Sequence, residues 1–440
     1  MSYDLGKILI QKKNFSKALD IFSNKLEKNS NDLRANFQMG KIFYELNDLN
    51  KSYKFFKKCD EIQPKTPNVL FNLALILQST GRIQDAKKKY LDLISINPKD
   101  IKSYYGLYAL NIENITAEFY QNLIELNKDK KISIFERSLI NFIFSKIEKK
   151  KENFKKEIDY LKLSHKQCYQ ANLILNNQSN FYYNNIISKN FSQINFSGEF
   201  KPITKFNESE HIFIIGLPRS GSSLVETIIT HNNENIFSVG EFHGINTSIL
   251  EQIGEVIYAK DFVSKDFKFE INRNKFQESL NEKYNHFEKN IFLDKSLENF
   301  FNIEIILEFF PNSKFVHTYR CFKDAVVAIY QTMLPELSWT NNIENIIQYV
   351  KLYEKTIEYF KNKYPNKIID VALNKLTDDK EYETMRILKF CEIDIKENYL
   401  NFEKNKKLYN KTNSFLQVRD KIKKYDNKKY QSYYHLLDKI

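Results

Sequence analysis

Along the first hundred residues, apolar positions recur three and four apart, with polar turns at short intervals, which predicts a series of amphipathic helices. The pattern also repeats on a longer scale. Gly6, Gly40 and Ala74 are 34 residues apart, as are Ala18, Ser52 and Ala86, then Phe22, Phe56 and Tyr90, then Ser30, Pro64 and Pro98. Small residues in the first two series let paired helices approach closely, the aromatic series fills the groove between them, and proline ends the second helix. Helical pairs that cannot bury their apolar faces alone stack on one another, so this stretch is expected to form an α-solenoid. The period fades after Asp100, but helical pairs continue through "SLINFIFSKIEKKKENFKKEIDYLKLSHKQ", as at the irregular end of a stack. These positions are packing rather than chemistry. The functional content of such a stack is its concave surface, which suits a peptide or protein partner.

Residues 177–208 are polar, aromatic and aperiodic, and are expected to connect two domains. From His211 short apolar runs alternate with helical periods. Strands are predicted at 212–216, 236–239, 290–293, 314–319 and 367–372, with helices between them, including 298–310 and 341–363. Such alternation predicts a mainly parallel sheet covered on both faces. The expected organisation is multidomain, α plus α/β: an α-solenoid over 1–176, the connection over 177–208, and an α/β domain over 209–440.

Composition narrows the function. A hydrophobic fraction of 42% and an aromatic fraction of 15% over 440 residues exclude a disordered chain. The net charge is +12, but lysine is spread along the whole length, without the confined basic block of a nucleic-acid binder. Cys59, Cys168, Cys321 and Cys391 lie far apart and form no C-x-x-C pair, which argues against zinc or a disulfide framework and for a reducing compartment. The seven histidines show no metal-binding spacing, so no metal is expected. The opening residues are amphipathic and charged, and no window approaches the roughly 18 apolar residues of a membrane span. A soluble, cytoplasmic protein without a membrane partner is expected.

The chemistry points to the stretch "HIFIIGLPRSGSSLVETIITH", which begins at His211. A strand, a small-residue loop and a helix in immediate succession aim backbone N–H groups at an anion. Gly216 and Gly221 are five apart, as in a nucleotide-binding P-loop, but the lysine position holds Ser222, which disfavours a kinase or ATPase. Ligands of open parallel sheets bind beyond the carboxyl ends of the strands. Arg219, Glu241, Asp294, Lys295 and Arg320 all fall there, so one anion-binding site is expected.

These motifs carry two resemblances. The 34-residue period resembles the tetratricopeptide repeat, most clearly in "TPNVLFNLALILQSTGRIQDAKKKYLDLISINPKD". "GLPRSGSSLVETII" resembles the phosphosulfate loop of sulfotransferases that use 3′-phosphoadenosine 5′-phosphosulfate (PAPS). "FSVGE" at 237–241, "DKSLENFFNIEIILEFFPNSKFVHTYR" at 294–320 and "TNSFLQVRDKI" at 412–422 follow in the family's order. The chain is similar to bacterial tetratricopeptide-repeat sulfotransferases and, through them, to tyrosylprotein sulfotransferases.

The resemblance implies a P-loop-like α/β sulfotransferase domain with PAPS as co-substrate. Pro218, Arg219, Ser220, Gly221, Ser222 and Ser223 would hold the 5′-phosphosulfate, and Arg320 the 3′-phosphate. Lys295 and Arg219 would stabilise the leaving oxygen, Glu241 would act as general base, and Ser414 would contact the transferring group. Arg419, in the same motif as Ser414, joins the cofactor-binding set. Three departures bear on nucleotide affinity: Ala328 replaces a serine, Leu373 a tyrosine, and His231-Asn232-Asn233 an HPD triplet. Two function classes follow. The first is a PAPS-dependent sulfotransferase whose repeats bind acceptor or partner, with a protein tyrosine leading over a carbohydrate, lipid or small phenol. The second is a scaffold that keeps the nucleotide site without turnover. Arg219, Glu241, Lys295 and Arg320 together favour the enzyme.

Overall fold

The structure, a computed structural model, describes residues 3–199, 210–259, 267–284, 291–401 and 422–437. Its first part is a stack of antiparallel helices: α1 (Tyr3–Gln11), α2 (Phe15–Lys28), α3 (Leu33–Glu45), α4 (Leu49–Ile62), α5 (Pro67–Ser79), α6 (Ile83–Ile96), α7 (Ile101–Leu110), α8 (Ala117–Lys128), α9 (Ile134–Lys150), α10 (Phe154–Ala171) and α11 (Leu173–Phe181). Polar caps set several starts: the side chains of Asn14, Asp32, Asp48 and Asn153 each accept from the helix's first turn, and Ser133 and Glu136 form a reciprocal capping box. The glycine series does what its spacing predicts. A Cβ on Gly6 would lie 2.5 Å from the Phe22 ring, and one on Gly40 would lie 2.8 Å from Phe56. Beyond the second repeat the register changes. Tyr90 presses on Gly106 of the following helix, where a Cβ would come within 2.4 Å of its ring. That is where the 34-residue period fades.

The turns inside the first three helical pairs share another feature. Lys13, Asn47 and Gly81, again 34 apart, all take left-handed backbone, with φ of 57°, 60° and 80°. The connecting segment after α10 is helical rather than extended. It continues from α11 through a π-helical turn at Tyr182–Ile187, and Tyr182, Ile186, Ile187 and Phe191 are buried.

Among the described residues the second part has seven strands: β1 (Asn195–Ser197), β2 (Glu210–Gly216), β3 (Ile236–Gly240), β4 (Glu270–Asn272), β5 (Ile291–Asp294), β6 (Lys314–Tyr319) and β7 (Ile368–Ala372). β1 and β4 pair by themselves. The others form one parallel sheet in the order β3-β5-β2-β6-β7. This is the predicted α-solenoid plus mainly parallel α/β architecture. β2 is central and buried from His211 to Gly216, and its side chains alternate between two cores. Ile212 and Ile214 pack with Val225, Ile228 and Val316 on one face. Phe213 and Ile215 face the other core, which also holds Phe15, Leu77 and Ile140 of the helical stack. The repeats and the sheet thus share one continuous apolar core. The helix predicted over 298–310 is interrupted: a 3₁₀ turn at Leu297–Phe301 gives way at Asn302 to a helix at Ile303–Phe309. Among the described residues, no helix is long and apolar enough to cross a membrane.

Candidate active site

The chain leaves β2 at the switch point of the sheet, with β5 on one side and β6 on the other. Three residues force the tight loop that follows. Gly216 has φ of 141°, and a Cβ there would lie 2.2 Å from the Thr318 carbonyl oxygen. Arg219 takes φ of 67°. Gly221, at φ of 96°, caps the helix Ser222–Asn232, and its missing side chain makes room for Leu373. Ser220 is buried and turned inward: its hydroxyl donates to the Leu217 carbonyl at 2.6 Å and lies 2.8 Å from the Thr318 hydroxyl. Its side chain therefore holds the loop's shape, which leaves Ser222 and Ser223 as the loop hydroxyls that line the cavity. The first-turn N–H groups of a helix lack intrahelical acceptors, so this end of the helix favours an anion.

Lys295 follows β5 and is 1% exposed. Its ammonium lies 2.9 Å from Glu226, 3.4 Å from Glu241 and 3.3 Å from the Ser223 hydroxyl. Burial alone would lower its pKa, but the two carboxylates, Glu226 foremost, outweigh that and hold it above the ordinary lysine value. Glu226 is buried on the loop's own helix and also accepts from the Ser238 hydroxyl at 2.5 Å. The sequence signal for it was slight, a single carboxylate three residues after Ser223 in a short helix. Glu241, just beyond β3, has a side chain 46% exposed. The sheet therefore brings Glu241, Lys295 and the loop together.

Arg219, within the loop, and Arg320 lie near one another. Burial is the main reason the Arg219 pKa lies below its ordinary value, and the nearby Arg320 guanidinium adds to the effect. Arg320 follows β6, and its guanidinium lies 5.0 Å from the centre of the Tyr425 ring and 5.5 Å from that of Tyr430. Its Nε is buried without a hydrogen-bond partner among the described residues. An orphaned guanidinium nitrogen beside a basic loop is the feature expected where an anionic ligand supplies the missing acceptor. Ser414 and Arg419 lie outside the described residues.

A further acid–base pair borders the site. His243, two residues after Glu241 and at φ of 56°, hydrogen-bonds Glu298 through Nδ1, and its N–H donates to the Ser296 hydroxyl at 2.8 Å. Burial opposes its protonation, but Glu298 prevails and pushes the imidazole pKa up to about 9. The pairing holds Glu298 below the usual carboxylate range despite its burial.

The helical stack grips the loop that carries Glu241 and His243. Lys13 donates to the Phe242 carbonyl and lies 4.8 Å from the centre of that ring. Asn47 donates to the Ser238 carbonyl at 3.1 Å. Farther along, Lys146 donates to the Gln331 carbonyl and the His165 Nε2 meets that of Tyr330, both at 2.7 Å.

The loop, Glu241, His243, Glu298 and Arg320 line a cavity of about 1050 Å³, and the buried Lys295 stands behind it, against Ser223 and Glu241. Pro218, Arg219, Gly221, Ser222, Ser223 and Arg320 form its basic end, with Lys423, Lys424 and Lys429 nearby. Glu241, His243 and Glu298 stand along it. Its remaining wall comes partly from α5, α7 and α9. Such an arrangement can hold a multiply charged anion at one end, stabilise charge through a fixed ammonium, and offer a carboxylate to a hydroxyl from the other end.

Comparison with known proteins finds two kinds of domain. Residues 211–397 match the sulfotransferase family, so the chain carries a sulfotransferase-family domain. More particularly, it joins that domain to tetratricopeptide repeats, which match at 33–66 and 67–100 and coincide with α3–α4 and α5–α6. An uncharacterized protein of Aquifex aeolicus (strain VF5) is 23% identical over 98% of this chain and 57% of its own length. Protein O-mannosyl-transferase TMTC3 of Homo sapiens is 25% identical over 31% of this chain, and BBSome complex member BBS4 of Bos taurus 32% identical over 23%. The chain spans 57% of the length of the first of these relatives, and 16% and 19% of the other two.

Proposed function

We propose that the protein is a PAPS-dependent sulfotransferase that transfers a sulfuryl group to an acceptor hydroxyl, with a phenol such as that of tyrosine as the leading acceptor. The observation that carries this is the buried Lys295 held between Glu226 and Glu241 beside the N-terminus of the loop helix. In the proposed reaction the acceptor oxygen forms a bond to sulfur as the bond from sulfur to the 5′-phosphate oxygen breaks. Glu241 takes the acceptor's proton. Lys295 meets the charge that builds on the departing phosphate oxygen, and Arg219 assists it. Glu226 acts through Lys295: it fixes the ammonium's position and charge without touching either substrate. Arg320, whose Nε has no partner among the described residues, supports a 3′-phosphate on the nucleotide. The proposed division keeps residues 209–440 as the transferase domain and 1–176 as the repeat domain, with the acceptor bound between them.

Calorimetry tests the nucleotide. The bisphosphate product should bind without magnesium and in preference to ATP, and Arg320→Ala should weaken it by about 1.5–3 kcal/mol, the worth of a hydrogen bond to a charged group. Transfer of label from PAPS to a phenol tests the reaction. Magnesium-dependent ATP binding with none of the bisphosphate would refute the proposal.

A further inference from the structure

The helical stack lines the cavity of the candidate active site directly. Phe71 and Leu75 of α5 are four apart, Lys102 and Tyr105 of α7 three apart, and Phe135 and Leu139 of α9 four apart, and all six line that cavity. Such spacings place each pair on one face of its helix, so alternate helices of the stack, α5, α7 and α9, each turn one face toward the site. Five of the six are apolar or aromatic. Met333, Leu334, Leu337 and Trp339 face the same cavity from the transferase part. Trp339 stacks on Tyr349 with ring centres 3.8 Å apart, and Tyr349 meets Tyr183 edge-on at 5.2 Å, which gives this end a rigid aromatic floor.

Charge at this end is balanced. Glu241 faces Lys295, and Glu298 is paired with His243. Among the described residues that line this end, Lys102 and Glu336 are also charged, and of opposite sign. The cavity's volume, about 1050 Å³, is at the upper end of the range for small-molecule sites, enough for a second molecule beside a nucleotide.

We infer that the concave face of the repeats is the acceptor site itself, and that the acceptor is an uncharged phenol or alcohol with an apolar body, not an acidic peptide. This rests on the sulfotransferase proposal above. The hydroxyl enters toward Glu241 while the body lies against α5, α7 and α9. The repeats then set acceptor specificity rather than recruit a separate partner.

The test uses the full chain, PAPS, and a series from phenol to 4-butylphenol, with an acidic tyrosine peptide as the competing acceptor. For the wild type, kcat/KM should rise roughly fourfold per added methylene, as expected when each is buried against an apolar wall. Leu75→Ser and Phe135→Ser alter residues that are only partly buried, so the fold should survive. Each should raise KM for 4-butylphenol about tenfold, the scale of losing part of an apolar wall, with a smaller rise for unsubstituted phenol and no change in bisphosphate affinity. A series flat in chain length, wild-type behaviour of both variants, or preference for the acidic peptide would overturn the inference. A wild-type protein that fails to bind the bisphosphate would overturn the sulfotransferase proposal beneath it.

Discussion

The side-chain amide of Asn47 donates to the carbonyl of Ser238 at 3.1 Å, joining the turn of a repeat to the strand that leads into Glu241. Asn47 has φ of 60°, so alanine there would add backbone strain to the loss of the bond. Asn47→Gly removes the amide and leaves the turn relaxed. It should lower kcat several-fold, since the bond is worth about 0.5–1.5 kcal/mol, and leave bisphosphate affinity unchanged. Steady-state kinetics with parallel calorimetry checks this. An equal loss in both would mean a general loosening of the fold.

Glu241→Gln should retain nucleotide binding and lose about 10²–10⁴-fold in turnover, the usual cost of removing a general base. More acidic phenols, which ionise with less help, should recover much of that loss. Lys295→Met should be slow with every phenol, because it affects the leaving group instead. A plot of log kcat against acceptor pKa for the two variants separates the roles.

Glu226→Gln leaves the Lys295 ammonium with the half-exposed Glu241 as its carboxylate partner. Removing one member of a buried pair costs up to about 3–5 kcal/mol, and the surviving partner should reduce this to about 1–3 kcal/mol. Thermal melting should show the loss. The Glu226→Gln, Lys295→Met double variant should melt close to the Glu226→Gln single variant or above it, because it removes the poorly paired charge.

His243 gains stability from Glu298, and the pH window follows from the direction of its shift. Its pKa rises from 6.5 to about 9, so its contribution is full below pH 6.5 and is lost as pH rises through 9. His243→Asn suits the left-handed backbone and removes the titrating group. Melting temperatures of the two proteins should differ most at pH 6 and converge by about pH 9.5. A gap that stays constant across this range would show that the pair adds nothing through protonation.

Removal of residues 1–176 should yield an aggregation-prone protein rather than a working transferase domain. Phe15, Leu77 and Ile140 belong to the same apolar core as Phe213 and Phe315, so the cut exposes buried surface. Light scattering and circular dichroism of the truncated chain decide the matter. A monomeric, cooperatively melting fragment would show that the shared core is dispensable.

What could be foreseen from the sequence divides by distance along the chain. The strand-to-helix loop at 212–223 and the repeat glycines announce themselves locally, through period and residue type. Glu226 did not, because its meaning depends on Lys295, 69 residues later, and a single carboxylate in a helix otherwise implies a solvated face. His243 likewise takes its role from Glu298, and Asn47 from Ser238. The segment after α10 seemed aperiodic for a different reason. Its π-helical turn stretches the repeat beyond 3.6 residues, so Tyr182, Ile186, Ile187 and Phe191 are buried at a spacing that matches neither helix nor strand. The break at Asn302 was hidden because apolar residues continue on both sides of it.

The left-handed turns at Lys13, Asn47 and Gly81 make the helical array a ruler of fixed length. Repeat stacks ordinarily lengthen or shorten by whole units, since each unit contacts only its neighbours. Here the first turn reaches Phe242, the second reaches Ser238, and the third, a glycine, has no side chain to extend. The far end is fastened independently, by Lys146 and His165 at residues 330–331. An extra unit between α4 and α5 would part these two sets of anchors, so the number of repeats is held by the α/β domain they embrace and cannot drift as it does in an open solenoid.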